Sequence, residues 1–151
     1  MPMRKMLVIA LSSPFLVGIY EDDVLVYSFE KEGKASDELP QMLCGLFDEH
    51  LPQEIYFADG PGSLMAIKIA FVALRTLSIS SGAKLFSADG FNFNGSKPIR
   101  AGKGFGFIKK DLVISSAKLS DDEFGSFYLP AVLNNSIFEP SSVPRYEIPA
   151  V

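Results

Sequence analysis

The residues of this chain with the clearest chemical potential lie in Asp59-Gly60-Pro61-Gly62-Ser63. A glycine turn that runs into a helix can hold a phosphate on backbone N–H groups at the positive end of the helix dipole. This turn lacks the Gly-Lys-Ser/Thr ending of a Walker loop, so a plain strand-to-helix connection accounts for it at least as well. Asp59 and Asp89 each close an apolar run of strand character, a position from which a carboxylate reaches a metal ion or a phosphate. Each also precedes a glycine, and turn chemistry is the simpler reading. One histidine, His50, and one cysteine, Cys44, are too few for a metal cluster. No Ser-His-Asp or Cys-His set can be assembled, so the sequence predicts no catalytic residue, no metal and no cofactor.

A second stretch, Lys103-Gly104-Phe105-Gly106-Phe107-Ile108, matches the start of the RNP1 strand of RNA-recognition domains. Lys110 stands where the last aromatic belongs, and the companion strand would fall within Ile69–Leu74, inside a helix. The motif is therefore rejected. The segment is still locally basic: residues 97–118 carry 6 Lys or Arg against 1 acid. The whole chain has net charge −4 and a pI of about 5.0, which excludes a surface built throughout for nucleic acid. A direct RNA contact through 97–110 remains a weaker alternative, and a solvated hairpin is the ordinary explanation.

The elements that must position these residues follow from apolar periodicity. Met6–Ser12 is a near-continuous apolar run, as in a central strand. Phe15–Tyr20 and Val24–Phe29 read as two further strands joined by the acidic turn Glu21-Asp22-Asp23. Ser36 is the expected N-cap of a helix whose apolar face is Leu39, Met42, Leu43, Leu46 and Phe47, and Pro52 closes it. Glu54–Asp59 is a strand, and Ser63 caps a second helix that ends at Gly82. Lys84–Ser87 is the last strand of the series. Beyond Gly95, Ile99–Ile108 and Leu112–Ile114 predict a hairpin, followed by irregular chain with Pro130, Pro140, Pro144 and Pro149. The order β-β-β-α-β-α-β is that of an α/β protein and resembles the ribonuclease-H-like core of the actin and sugar-kinase ATPase superfamily.

The helix after Ser63 is apolar on two sides. At 100° per residue Ala66, Ile67, Ile69, Ala70, Ala73, Leu74 and Leu77 share one broad face with three alanines at its centre. Met65, Val72 and Ile79 form a second row, seven residues apart, bordered by Lys68 and Arg75. Either the helix is buried on both sides within its own domain, or the second row meets another protein chain. Bulk composition suits one domain with a sizeable core, at 48% apolar residues with 13 Phe and no Trp. A lone cysteine fits a reducing compartment, and no stretch approaches the roughly 20 apolar residues of a membrane span. A cytoplasmic protein is expected.

The stretch Gly60-Pro61-Gly62-Ser63-Leu64-Met65-Ala66-Ile67-Lys68-Ile69-Ala70 resembles Gly-Pro-Gly-Ser-Phe-Thr-Gly-Leu-Arg-Ile-Gly, the pattern of the TsaB (YeaZ) family of tRNA threonylcarbamoyladenosine synthesis. Met6-Leu7-Val8-Ile9-Ala10-Leu11-Ser12 parallels that family's opening Ile-Leu-Ala-Ile-Asp-Thr-Ser, and Val143-Pro144-Arg145-Tyr146 is weakly similar to a Pro-x-Tyr near its end. The resemblance implies a non-catalytic partner of a TsaD-like protein, the enzyme that modifies adenosine-37 of tRNA, with a TsaE-like ATPase binding the pair and tRNA met through the complex. It also implies that the helices at about 36–50 and 63–81 carry the contact, through Met42, Met65, Lys68, Ile69, Val72, Arg75 and Ile79, and that the same row could pair two copies of the chain. Gly60, Pro61, Gly62 and Ser63 are then a structural turn. Ala10-Leu11, Met65-Ala66 and Ala70 depart from the pattern and argue against ATP hydrolysis, the function of the alternative reading as a small ATP-binding or phosphotransfer protein. Residues 1–95 are expected to form the first domain and 96–151 a reduced second lobe.

Overall fold

Every residue of the first strand is apolar from Met6 onward, so both of its faces must be covered, and the architecture follows from how that is done. The computed structural model describes residues 2–102 and 104–141. Strands β1 (Arg4–Ile9), β2 (Phe15–Glu21) and β3 (Val24–Lys31) are followed by α1 (Ala35–His50), β4 (Glu54–Ala58), α2 (Leu64–Ser81) and β5 (Lys84–Ala88). Three strands then form a small separate sheet: β6 (Ile99–Gly102), β7 (Phe105–Lys110) and β8 (Val113–Lys118). A final two-residue strand, β9 (Glu139–Pro140), returns to the main sheet, whose order is β3-β2-β1-β4-β5-β9. β1, β2 and β3 pair antiparallel, β4 and β5 run parallel to β1, and β9 is antiparallel to β5. The expected β-β-β-α-β-α-β series is present, as an α/β fold with a mixed sheet and two helices.

The β2–β3 turn places Asp22 and Asp23 at φ of 50° and 67°. Those are the positive angles a two-residue hairpin needs, and Asp tolerates them through local hydrogen bonding. Two expectations are corrected. α1 starts at Ala35 with Lys34 at the N-cap, so Ser36 lies within its first turn and Pro40 within the helix. The predicted single hairpin is three strands, because Gly104 (φ 82°) breaks the first arm and Asp111-Leu112, both at positive φ, form the second turn. The Val143–Tyr146 similarity lies outside the described residues.

One face of the main sheet is covered by the helices. Met6 and Val8 of β1, Val17 and Ile19 of β2, and Ile55 and Phe57 of β4 pack against Leu39, Leu43 and Leu46 of α1 and Ala66, Ala70 and Leu74 of α2. The opposite face holds Leu7, Ile9, Leu16, Tyr20 and Tyr56, and of the two α-helices only Ile67 in the first turn of α2 is buried with it. Irregular chain covers the rest, with Phe93, Leu133 and Phe138 buried against it and Phe127, Leu129 and Ile137 partly buried.

Polar contacts hold that cover down. The Tyr20 hydroxyl donates to the Pro130 carbonyl at 2.6 Å. Lys5, only 8% exposed, donates to Asp23 Oδ1 at 2.7 Å and Asn135 Oδ1 at 2.8 Å, and stands 3.6 Å from Glu54. Asn135 closes the ring by donating to Asp23 Oδ2 at 2.9 Å. A buried ammonium is tolerated because each of its neighbours is an acceptor. The Lys5 hydrogen bond also holds the Asp23 carboxyl below the usual carboxylate range. Burial and the Glu54 hydrogen bond push the Tyr56 hydroxyl well above the usual phenol range.

The Asp23 shift sets a testable acid limb. Its folded-state pKa lies below the unfolded value, so its contribution is present above the ordinary carboxylate range and is lost as pH falls through the folded value. Urea unfolding from roughly pH 6 down to pH 2.5 is expected to give a shallower loss of stability in Asp23→Asn than in the wild type. Parallel curves for the two proteins would refute this.

Candidate partner interface on the second helix

The turn into α2 is bound tightly to the ends of the neighbouring strands. Ser63 N–H donates to the Leu11 carbonyl at 2.8 Å, Gly90 N–H to the Gly60 carbonyl at 2.8 Å, and Asp59 N–H to the Ala88 carbonyl at 3.0 Å. Ser63 is the N-cap as expected, its hydroxyl accepting from Ala66 N–H at 3.3 Å, and Gly82 is the left-handed C-cap at φ 83°. A Cβ on Gly62 would stand 2.7 Å from both the Cβ and the carbonyl oxygen of Leu11, so only glycine permits this approach. Three of the positions a phosphate would use are closed to it: Pro61 has no N–H, Ser63 gives its N–H to Leu11, and Ala66 gives its N–H to the cap. This is a strand-to-helix joint, with Ala10 and Leu11 buried beneath it.

The candidate acids are likewise built into the frame. Asp89 is 8% exposed; one oxygen accepts from Phe91 N–H at 3.0 Å and the other pairs with Lys109 of β7. Asp59 is buried at the end of β4. Among the described residues no group of His, Cys, Asp or Glu could hold a metal ion. His50 lies at the end of α1 with its ring 4.8 Å from that of Tyr27.

The basic segment is partly neutralised by its own chain. Lys109 is taken by Asp89, and Arg100 donates to Asp121 at 3.1 Å while its guanidinium lies 4.2 Å over Phe124. Arg100 and Asp121 also line a cleft of about 480 Å3 facing Ser12 and Ser13. The RNP1-like match begins at Lys103, outside the described residues. Gly106 within it carries no side chain because a Cβ would meet the Ile99 carbonyl at 2.3 Å and the Phe124 ring at 2.4 Å. Its glycine thus serves the packing of the small sheet.

The second row of α2 has a different character. Met65, Val72 and Ile79 are 61%, 62% and 71% exposed, with Lys68 and Arg75 exposed alongside. Among the described residues nothing buries α2 on both sides: Ala66, Ile67, Ala70 and Leu74 face inward and the row faces out. Leu64, 56% exposed, extends the row on the Lys68 side, which its position one helical turn before Lys68 could have revealed. The other two predicted residues lie elsewhere. Ile69 is half-buried against the core, and Met42 is half-buried beside a groove between α1 and β3. The Lys5 cluster was missed, because a lysine before an apolar run reads as a solvated flank and its partners lie far along the chain. By length and composition α2 would also suffice to cross a bilayer, contrary to the expectation that no stretch comes close. Its buried alanine face and its caps at Ser63 and Gly82 are those of a core helix.

No protein-family model matches the chain, and no curated protein does. Solved structures do. YeaZ from Pseudomonas aeruginosa superposes with a TM-score of 0.54 at 14% identity, over 83% of this chain and 64% of that one. A protein described as similar to the peptidase YEAZ, also from Pseudomonas aeruginosa, gives 0.52 at 13% identity over the same shares. At such identity the likeness is one of fold, and this chain spans only about 64% of the length of those structures.

Two substitutions separate joint from surface. Ser63→Ala is expected to lower stability by about 1 kcal/mol through loss of the cap. Val72→Glu, on an exposed position, is expected to change it by less than about 0.5 kcal/mol. Chemical denaturation measures both, and a large loss in Val72→Glu would mean that the row is packed rather than free.

Proposed function

We propose that the chain is a ribonuclease-H-like subunit of the TsaB kind, which binds a TsaD-like protein through α2 with α1 beside it. It would support threonylcarbamoyl transfer to adenosine-37 of tRNA without contributing catalytic groups. The observation that carries this reading is the exposed apolar row Met65, Val72 and Ile79 with its cationic border. Water-exposed apolar area of this kind, regularly spaced along one helix, favours association with a second apolar surface. The strand order β3-β2-β1-β4-β5, with the first three antiparallel, agrees with the ribonuclease-H-like core. The glycine turn that carries the family resemblance joins strand to helix, which suits a scaffold better than a phosphate site. A TsaE-like ATPase would bind the pair, and tRNA would be met through the complex.

The alternative, a small ATP-binding or phosphotransfer protein, has less support. The N–H groups of Ser63 and Ala66 are already bonded within the fold, and Arg100 beside the cleft is held by Asp121 and Phe124. Titration with Mg-ATP separates the two, since the scaffold reading expects little or no binding by this protein alone.

The direct test is co-elution with the TsaD-like protein of the same organism. The wild type is expected to co-elute, and Val72→Glu to bind at least about tenfold more weakly while remaining folded. Failure of the wild type to co-elute, both with and without the TsaE-like protein, would overturn the proposal.

A further inference from the structure

A second docking feature lies on the other side of α1, away from the α2 row, and does not depend on the partner proposed above. β3 is the edge strand of the main sheet, so along its outer side alternate N–H and C=O groups face away from β2. The first part of that edge already accepts chain. Leu25 N–H donates to the Ala131 carbonyl at 2.9 Å, Leu133 N–H to the Asp23 carbonyl at 2.8 Å, and Val24 forms an antiparallel bridge with Val132. A bulge follows at Val26, which stands between the registered pairs Tyr20–Leu25 and Ile19–Tyr27. Beyond it, among the described residues, the edge from Val26 to Lys31 has no strand beside it.

A groove of about 470 Å3 runs between this open edge and α1. Phe29, Met42, Gly45 and Leu46 line it, with Glu38 and Glu49 among its lining acids. Gly45 is the unusual member. It lies inside a helix, where glycine is a poor choice, and a Cβ there would meet nothing within 4 Å. Packing does not require it, yet its absence of side chain keeps the groove clear.

We propose that this groove binds an extended peptide segment of another protein, added to β3 as a further strand. Unpaired backbone groups select an extended backbone, and the apolar lining accepts every second side chain. Glu38 and Glu49 stand on α1, on the same side of the added strand as that lining, so they act on the same alternate set of side chains. Glu38 is paired with Lys31 at 3.5 Å, and Glu49 is a further exposed carboxylate at the groove, 3.8 Å from the His50 ring nitrogen. The groove's two carboxylates outnumber its one cation, Lys31, so the alternate side chains that enter it are apolar with a basic one among them, over about the six positions from Val26 to Lys31.

The test is selection of peptides from a displayed library of random dodecapeptides on the full chain, with Gly45→Arg as the blocked variant. That variant fills open space at a helix-favouring position, so its urea midpoint should equal or exceed the wild-type value. Expected are enriched peptides with apolar and basic residues at every second position that bind Gly45→Arg at least tenfold more weakly. Methylating alternate backbone nitrogens in the peptide should cost a similar factor. No enrichment, equal binding to the folded variant, or indifference to N-methylation would overturn the proposal. So would a wild-type dimer in sedimentation that Gly45→Arg abolishes, since a second copy would then be the occupant.

Discussion

Burial of β1 on both faces is the constraint on which the rest of this molecule depends. A strand with Met6 and Val8 on one side and Leu7 and Ile9 on the other can sit only at the centre of a sheet covered above and below. The two helices suffice for one face. The second face is closed by chain with little regular structure, held by only short backbone pairings such as the Val24–Val132 bridge. Specific polar contacts at Tyr20, Lys5 and Asn135 supply what regular pairing would otherwise provide.

The division of labour between the helices follows from the same geometry. Alanines at 66 and 70 let α2 approach the sheet closely, and that approach turns Met65, Val72 and Ile79 outward. The glycine joint sets the direction of entry, since Gly62 rests against Leu11 at a distance no side chain allows. Joint and exposed row are thus two ends of one arrangement: moving the turn would rotate the apolar row away from its present aspect.

Much of this was legible in the chain. Continuous apolar runs marked the strands, because central strands need no polar side, and Ser63 and Gly82 marked the ends of α2 through well-understood backbone preferences. The outward row at residues 65, 72 and 79 was legible as a period, although only packing could decide whether another part of the domain covered it. What escaped was non-local. Lys5 meets Asp23, Glu54 and Asn135 through the sheet, and no spacing along the chain announces such a meeting. The pairing of Lys109 with Asp89 likewise turned an apparent cation and an apparent ligand into a tie between two sheets. Met42 read as part of α1's apolar face and of the partner contact, and it lies half-buried beside the groove between α1 and β3.

The bond between Lys5 and Asn135 joins residues 130 positions apart, and this has a bearing on biogenesis. A nascent chain emerging from the ribosome could lay both helices on the sheet once β5 is out, since that half of the core is complete by Leu85. Leu7, Ile9, Leu16 and Tyr56 would then remain only partly covered, by Ile67 and later Phe93, until Leu133 and Phe138 appear. Exposed apolar strand surface in a half-made domain is what holdase chaperones recognise and what drives premature association. Translation across the small sheet, between these two events, is therefore the interval in which this protein is most vulnerable, and its last few dozen residues act as the release from that state.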